Sequence, residues 1–556
     1  MSGLTVPRTE TLLRNRTREV ISVRRFGAKG DGAFNNLTAF RDTLAAANDG
    51  DTITIPPGDY LIEYQEASGD ASVFDLTGRK DLTFIGEKGS RILVKHDVTG
   101  GSRFSLFSGP AENCKFIGLD IDWESFTTAP TSSESRGVPF YFVHAGGVAP
   151  KDIHIDACRI KATHPGGANM GAGSLDGKMG SVWFHGDFGG ETYAHGLRVT
   201  NCDFVDSRGR VLWTWYAENM LIHGNSFVNC GGHSLMRILV GCRDFRITEN
   251  YIQTPFDDFT AAAITYSGQG GDTARDALIA NNTFKLGRSA AISVAGVSRC
   301  RIASNSIAIH PDYSGDNFDG IRVSEETVSG GRPTEYIDVV GNMVEHPVPY
   351  TVFGGVKFVS FIANTFVGAG GTSVLSGATP PTDVVWRTNR FEGGGRPRPR
   401  GLRVTITDNV IEGMTANLGD DWTGLRDVTI RDNQIINPSR PTGQSVIDLA
   451  GSGHVVEGNR ITGGDYDYGV KARSPTGGTI LVGDNDIDEG REGVYDLHEN
   501  TVVRGMLSRR DISGEGSPEG VVAAPVGTIY LRVDGGADTT LYVKESGTGN
   551  TGWAAK

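Results

Sequence analysis

One short pattern recurs along most of this chain: apolar, x, apolar, x, x, slot, x, apolar, with Asn as the usual slot residue. DVTIRDNQI (427–435) is the clearest copy, and RVTITDNVI, DFRITENYI, DALIANNTF, KFVSFIANTF and TILVGDNDI are others. The slots fall at Glu87, Leu119, Cys158, Cys202, Asn225, Asn250, Asn282, Asn305, Asn342, Asn364, Asn389, Asn409, Asn433, Asn459 and Asn485, with Met506 closing a further copy. Alternating apolar residues make a strand with one buried face. One such strand cannot bury a core, but identical strands stacked about 4.8 Å apart can. The slot Asn tolerates a left-handed bend, and its amide can bond the amides above and below, so that a buried polar group becomes part of a satisfied ladder. Leu119, Cys158 and Cys202 fit the same inward slot as apolar replacements.

Between slots lies another short strand, as in SVWFH, VLWTW, SLMRI, AAITY, AAISV and GIRVS. Two or three strands per repeat predict an all-β parallel β-helix of about 15 coils. From Asn342 to Asn485 the slot spacings are 22, 25, 20, 24, 26 and 26, so those coils are nearly bare. Earlier spacings reach 39 (119–158) and 44 (158–202), and the extra residues must leave the coil as loops. Loops on a rigid scaffold carry function, which places the active groove on the coils of residues 120–330. A stack also needs its ends covered. Residues 36–49 read as an amphipathic helix with Leu37, Phe40, Leu44 and Ala47 on one face. At the other end, Asp534-Gly535-Gly536 between two alternating strands signals a hairpin. The organisation expected is an N-terminal extension (1–20), a capping segment with a helix (21–66), the β-helix (67–508) and a small C-terminal β module (519–556).

Composition narrows the function. The 556 residues carry 53 basic and 66 acidic side chains, a formal net charge of −13, which argues against nucleic acid as a partner. No apolar run is long enough to span a membrane, and the Arg-bearing N-terminus lacks the apolar segment of an ordinary signal peptide. Six cysteines without a CxxC spacing suggest buried, reduced thiols.

The segment VRRFGAKGDGAFNNLTAFRDTLAAANDGDTITIPPGDYLI (23–62) resembles the opening of the pectate-lyase-like right-handed β-helix superfamily, shared by phage tailspike depolymerases and many carbohydrate-active enzymes. Relatives often carry an acidic pair where this chain has Asn35-Asn36. The resemblance implies a polysaccharide substrate, often a homotrimer, and an extracellular or virion-associated (tail) location. It supplies no catalytic residues. The polygalacturonase-type set is missing: Asp257-Asp258 and a Gly-His-Ser at 232–234 occur in the wrong order. The P-loop, HExxH and GxSxG motifs are also absent.

The candidate chemistry is therefore read from the coils. Trp213 and Trp215 share one face of a strand, and with Trp123, Trp183 and Tyr266 they are the aromatics offered to sugar rings. Glycoside hydrolysis uses two carboxylates, about 5–5.5 Å apart in retaining enzymes and about 6.5–9.5 Å in inverting ones. Equivalent positions one or two coils apart approach those separations. Asp187 (beside His185), Glu218, Asp257, Asp258 and Asp319 are the catalytic candidates. Aligned on inward Met236, Ile264, Ile292 and Ile321, residues Arg237, Thr265, Ser293 and Arg322 form an outward column, whose two arginines would grip acidic or polar sugar groups. The expected activity is a polysaccharide depolymerase acting by hydrolysis, with Trp213 or Trp215 stacking sugar and no metal or cofactor. A lyase using His233 or Tyr266 with the arginines, where Ca²⁺ has a place, is the alternative. A non-catalytic glycan-binding fibre is the reading from another class.

Overall fold

The computed structural model describes residues 18–556 except 67–70, 99–102, 126–135, 164–179, 188, 190–191, 208–209, 231–233, 255–261, 269–273, 288–289, 310–318, 326–332, 369–371, 375–378, 421–423, 441–443, 474–479, 489–491, 497–500, 505–511, 523, 525 and 548. The chain forms two compact units, Met1–Pro381 and Thr382–Lys556. The architecture is the right-handed parallel β-helix.

In the first unit each coil contributes three strands. The strand before the slot, such as Arg243–Thr248, enters a first sheet. The strand after it, such as Tyr251–Gln253, enters a second. The strand expected between slots, such as Ala262–Ser267, enters a third sheet of eleven parallel strands. In-register pairing repeats from coil to coil, as in Ile247↔Ile279↔Ile302 on the first sheet and Ile264↔Ile292↔Ile321 on the third. The inward residues are fully buried, with a phenylalanine stack of Phe74, Phe107 and Phe140 filling the early coils.

The ladder predicted from the slots is present in both units. The backbone N–H of Asn225 and its Nδ2 both donate to Asn250 Oδ1 (3.0 and 2.9 Å), and the same two bonds recur from Asn250 to Asn282, from Asn282 to Asn305 and from Asn305 to Asn342. Each Nδ2 also reaches a carbonyl one level back, as Asn282 does to Ile247 (2.9 Å). In the second unit the ladder runs through Asn389, Asn409, Asn433, Asn459 and Asn485. Leu119, Cys158 and Cys202 occupy buried slots, and the two thiols donate to carbonyls of Phe116 and Ile155. All six cysteines are buried, and none forms a disulfide. Two details of the sequence reading are corrected. Glu87 is exposed and is no inward slot. The left-handed residue is the one before the slot, such as Asn281 (φ 56°), Ser304 (53°) or Ala363 (54°). The slot Asn must stay extended to aim its amide along the stack.

At the N-terminal end a helix spans Leu37–Ala46, and Phe40 packs on Phe74 and Tyr60. Asn36 is buried rather than offered to solvent: its amide bridges Lys29 and Leu61, tying the FGAKGDG loop to the strand that follows Pro-Pro. Gly30 lies so close to Gly58 that a Cβ on it would meet the Gly58 Cα at 2.9 Å, which accounts for Gly at both positions. In the second unit, strands Ile529–Arg532 and Leu541–Lys544 form the hairpin expected around Asp534-Gly535-Gly536, and Trp553–Ala555 adds a third antiparallel strand over a core of Tyr530, Tyr542 and Trp553. A strand at Ile512–Gly514 joins the same sheet. Among the described residues no helix is long and apolar enough to cross a membrane.

Candidate functional site

The outer face of the third sheet collects most of the candidates. Register places Tyr141, Trp183, Trp213, Arg237, Thr265, Ser293 and Arg322 in a single column, one residue per level. The inward positions of these strands are apolar or small, so the alternation of the pleat sends this set outward. His185 and Trp215 pair beside Trp183 and Trp213, which makes a two-by-two aromatic array.

The four rings interlock. The His185 ring stacks on Trp215 at 4.9 Å, and Trp213 meets Trp183 (4.5 Å) and Trp215 (4.9 Å) edge to face. The Arg210 guanidinium lies 4.1 Å over the Trp213 ring. Trp183, Trp213 and His185 are buried in consequence, and the His185 Nε2 is 3.1 Å from the Trp213 carbonyl. This corrects the expectation for Trp213 and His185: their surfaces are spent on one another, and Trp215, half-buried, is the member left to meet a ligand. Trp123 and Tyr266 are corrected further. Both point into the interior; the Tyr266 hydroxyl donates to the Cys242 carbonyl (3.1 Å), and burial holds its pKa well above the ordinary phenol value. A tyrosine in that state cannot serve as the base of a lyase.

The carboxylates divide between two edges of the sheet. Asp187 and Glu218 lie at the edge where third-sheet strands turn into the first sheet, on adjacent levels, Asp187 two residues after His185 and Glu218 three residues after Trp215, the register partner of His185. The local chain explains this: Gly186 donates to the Trp215 carbonyl (2.9 Å), Tyr216 takes a left-handed φ of 43°, and Glu218 is the second residue of the next strand, Ala217–His223. Arg243 holds Glu218 through Nε and Nη2, each 2.7 Å from Oε2, while its guanidinium covers the Tyr193 ring at 4.1 Å. Glu218 Oε1 has no hydrogen-bond partner among the described residues. Asp187 Oδ1 accepts from the Gly189 N–H (3.1 Å) and lies 4.0 Å from His144 Nδ1, and Oδ2 has no hydrogen-bond partner among the described residues.

Asp319 lies elsewhere. It opens the strand Asp319–Ser324 at the opposite edge, four levels on, about 19 Å along the stack. It is buried, accepts from Arg322 Nε (2.5 Å) and from the Thr351 hydroxyl, and so cannot pair with Glu218. The same contact commits Arg322 to Asp319. Arg237 adjoins the aromatic array, and burial lowers its pKa. Asp257, Asp258 and His233 lie outside the described residues. Among the described residues no group of three or more His, Cys, Asp and Glu could hold a metal ion.

Arg243, Arg210 and His144 were not anticipated. Arg243 was legible, since Glu218 and Arg243 each stand seven residues before a slot, at Asn225 and Asn250. Alignment on the slots places them side by side.

No protein-family model matches this chain, and no curated protein does. Solved structures are similar at the level of fold. The tailspike protein of E. coli bacteriophage HK620, in complex with a pentasaccharide, is 13% identical with a TM-score of 0.41, over 98% of this chain and 91% of that one. The Azotobacter vinelandii mannuronan C-5 epimerase AlgE6 A-module is 13% identical (TM-score 0.32, 88% and 98% covered). The catalytic unit of a GH87 α-1,3-glucanase from Streptomyces thermodiastaticus is 14% identical (0.30, 87% and 69%).

Proposed function

We propose that this protein is a polysaccharide-acting β-helix that cleaves glycosidic bonds hydrolytically at the corner formed by Asp187, Glu218 and Trp215. The observation that supports the reading is the pair of carboxylates on adjacent levels at the edge beside the half-buried Trp215, each with one oxygen that has no hydrogen-bond partner among the described residues. Trp215 stacks on the apolar face of one sugar and sets the bond beside the carboxylates. Glu218, fixed against Arg243, stabilises the positive charge that develops on the sugar or attacks the anomeric carbon, Asp187 donates the proton to the leaving oxygen, and water then bonds the anomeric carbon and returns a proton to Asp187. Arg237, one level from Trp213, orients a polar or acidic substituent of a neighbouring sugar. Further proposals from the sequence resemblance are a homotrimer, which a monomeric mass in light scattering would exclude, and a place outside the producing cell or on a virion.

The test is a panel of bacterial surface and extracellular polysaccharides, scored for new reducing ends and for ultraviolet absorbance. Hydrolysis raises reducing ends alone, lyase chemistry adds the absorbance of a conjugated double bond, and a binding fibre raises neither. Asp187→Asn should lower turnover at least ~100-fold, the scale of general acid catalysis, without moving the melting temperature. Full activity in both Asp187→Asn and Glu218→Gln would overturn the assignment.

A further inference from the structure

A second feature lies on the first sheet, away from this corner. Six residues before each slot stands a left-handed, outward residue. In six consecutive coils it is polar or aromatic: Asn219 (φ 53°), Asp244 (51°), Asp276 (59°), Arg299 (54°), Tyr336 (57°) and Phe358 (53°). Asn and Asp suit that conformation, whereas a bulky aromatic there is an outlier. Two successive coils nevertheless carry aromatics. Their rings lie parallel, 4.9 Å apart at 9°, and stay about half exposed (51% and 45%). Ring stacking of two exposed side chains does not remove them from water, so burial does not explain the choice.

On the side away from Phe358, Tyr336 borders a concavity of about 530 Å³ with Arg299, Arg301 and Asp338, floored by Ala277 and Cys300. That volume falls in the range of small-ligand pockets, about 300–1,000 Å³. Arg299 is occupied by Asp276, with Nε and Nη2 at 2.6 and 2.8 Å from the carboxylate. Arg301 has no hydrogen-bond or ion-pair partner among the described residues, although register sets it opposite Asp338. Asp338 accepts one hydrogen bond, from the Ser360 hydroxyl. The concavity therefore offers an aromatic ring braced from behind, free guanidinium donors and carboxylate acceptors. One apolar face with donors and acceptors around its rim is the complement of a pyranose ring.

We propose that this concavity is a second carbohydrate-binding site, in which Tyr336, held by Phe358, stacks on one sugar ring while Arg301 and Asp338 bond its hydroxyls. It shares with the preceding section the chemical class of the ligand and needs no catalytic group. A protein partner is disfavoured because a specific interface takes ~1,000 Å² or more, and the flanking positions of this column are charged.

Gel electrophoresis of the full chain through matrices containing dextran, xylan or alginate tests the site. Tyr336→Asn and Phe358→Asn remove the rings while suiting the left-handed backbone, so the fold persists. Retardation of the wild-type chain by at least one of the three polymers, weakened 5-fold or more in the Tyr336→Asn, Phe358→Asn double variant and in Arg301→Ala, is the expected result. The same double variant should release reducing ends at the wild-type rate from short oligosaccharides, while Asp187→Asn is retarded normally; this separates failure of either site from failure of the other. Unchanged retardation in the double variant, no retardation of the wild type by any polymer, or a changed oligomeric mass in the double variant would overturn the proposal.

Discussion

At the scale of single residues, the Asn slot carries the most consequence. Asn282 Oδ1 accepts from both the backbone and the side chain of Asn250, and its own Nδ2 donates to Ile247 and Asn305. Asn282→Ala strands several buried groups at once, and each unsatisfied one costs about 1–3 kcal/mol. The denaturant midpoint should fall by an amount equivalent to at least ~3 kcal/mol. Asn282→Cys should cost less, because Cys202 already donates from such a slot to a carbonyl. Two buried histidines add a pH dependence. His346 Nδ1 accepts the Val348 N–H (3.0 Å), so the ring must stay unprotonated there; burial lowers its pKa to about 4 despite the attraction of Asp319. His454 accepts from Val428 and is lowered by burial in the same direction. The unfolded chain takes up these protons near pH 6.5 and the folded chain does not. Stability is therefore full above the unfolded pKa and declines as pH falls from about 6.5 to about 4, by on the order of 3 kcal/mol for His346. Melting temperature followed across that window should fall for the wild type and fall less for His346→Asn.

At the scale of the strand and its corners, the turn before the slot explains a composition that otherwise looks arbitrary. Asn, Asp and Gly precede most slots because the chain bends left-handed there, with Ala157, Glu249, Ser304, Ala363 and Thr388 at the others. Ala363 (φ 54°) bears a Cβ that this conformation penalises. Ala363→Gly should raise stability by about 0.5–1 kcal/mol, and Ala363→Val should lower it by about 1–2 kcal/mol, as equilibrium unfolding would record. The alternation along VLWTW was readable as two faces, yet which face is interior depended on its neighbours. Leu212 and Thr214 turned inward, and the two tryptophans became an external cluster covered by Arg210.

At the scale of the molecule, stacked coils make stability a sum of neighbour terms. Removal of one bare coil, residues 434–459, leaves Asn433 to meet Asn485, since each step of that ladder joins like to like. The shortened chain should keep its β circular-dichroism signal and cooperative unfolding, with reducing-end release unchanged. Removal of residues 203–225 takes out Trp215 and Glu218 together and should abolish release. Retained activity in that second deletion would locate the chemistry on another coil.

The order of residues alone determined the repeat, the ladder, the outward column from Arg237 to Arg322 and the neighbourhood of Glu218 and Arg243. All four follow from counting back or forward from a slot, because a stack of equal coils converts sequence offset into spatial register. Lateral position was decided only in three dimensions. Glu218 and Asp319 are both carboxylates of the loop-bearing coils, but one follows its third-sheet strand and the other begins one, so the width of the sheet and four levels part them. Exposure was decided there too. Trp213, His185 and Tyr266 have the composition of a sugar site, and it took the packing of neighbouring rings and the direction of the pleat to leave Trp215 as the half-buried indole of the cluster.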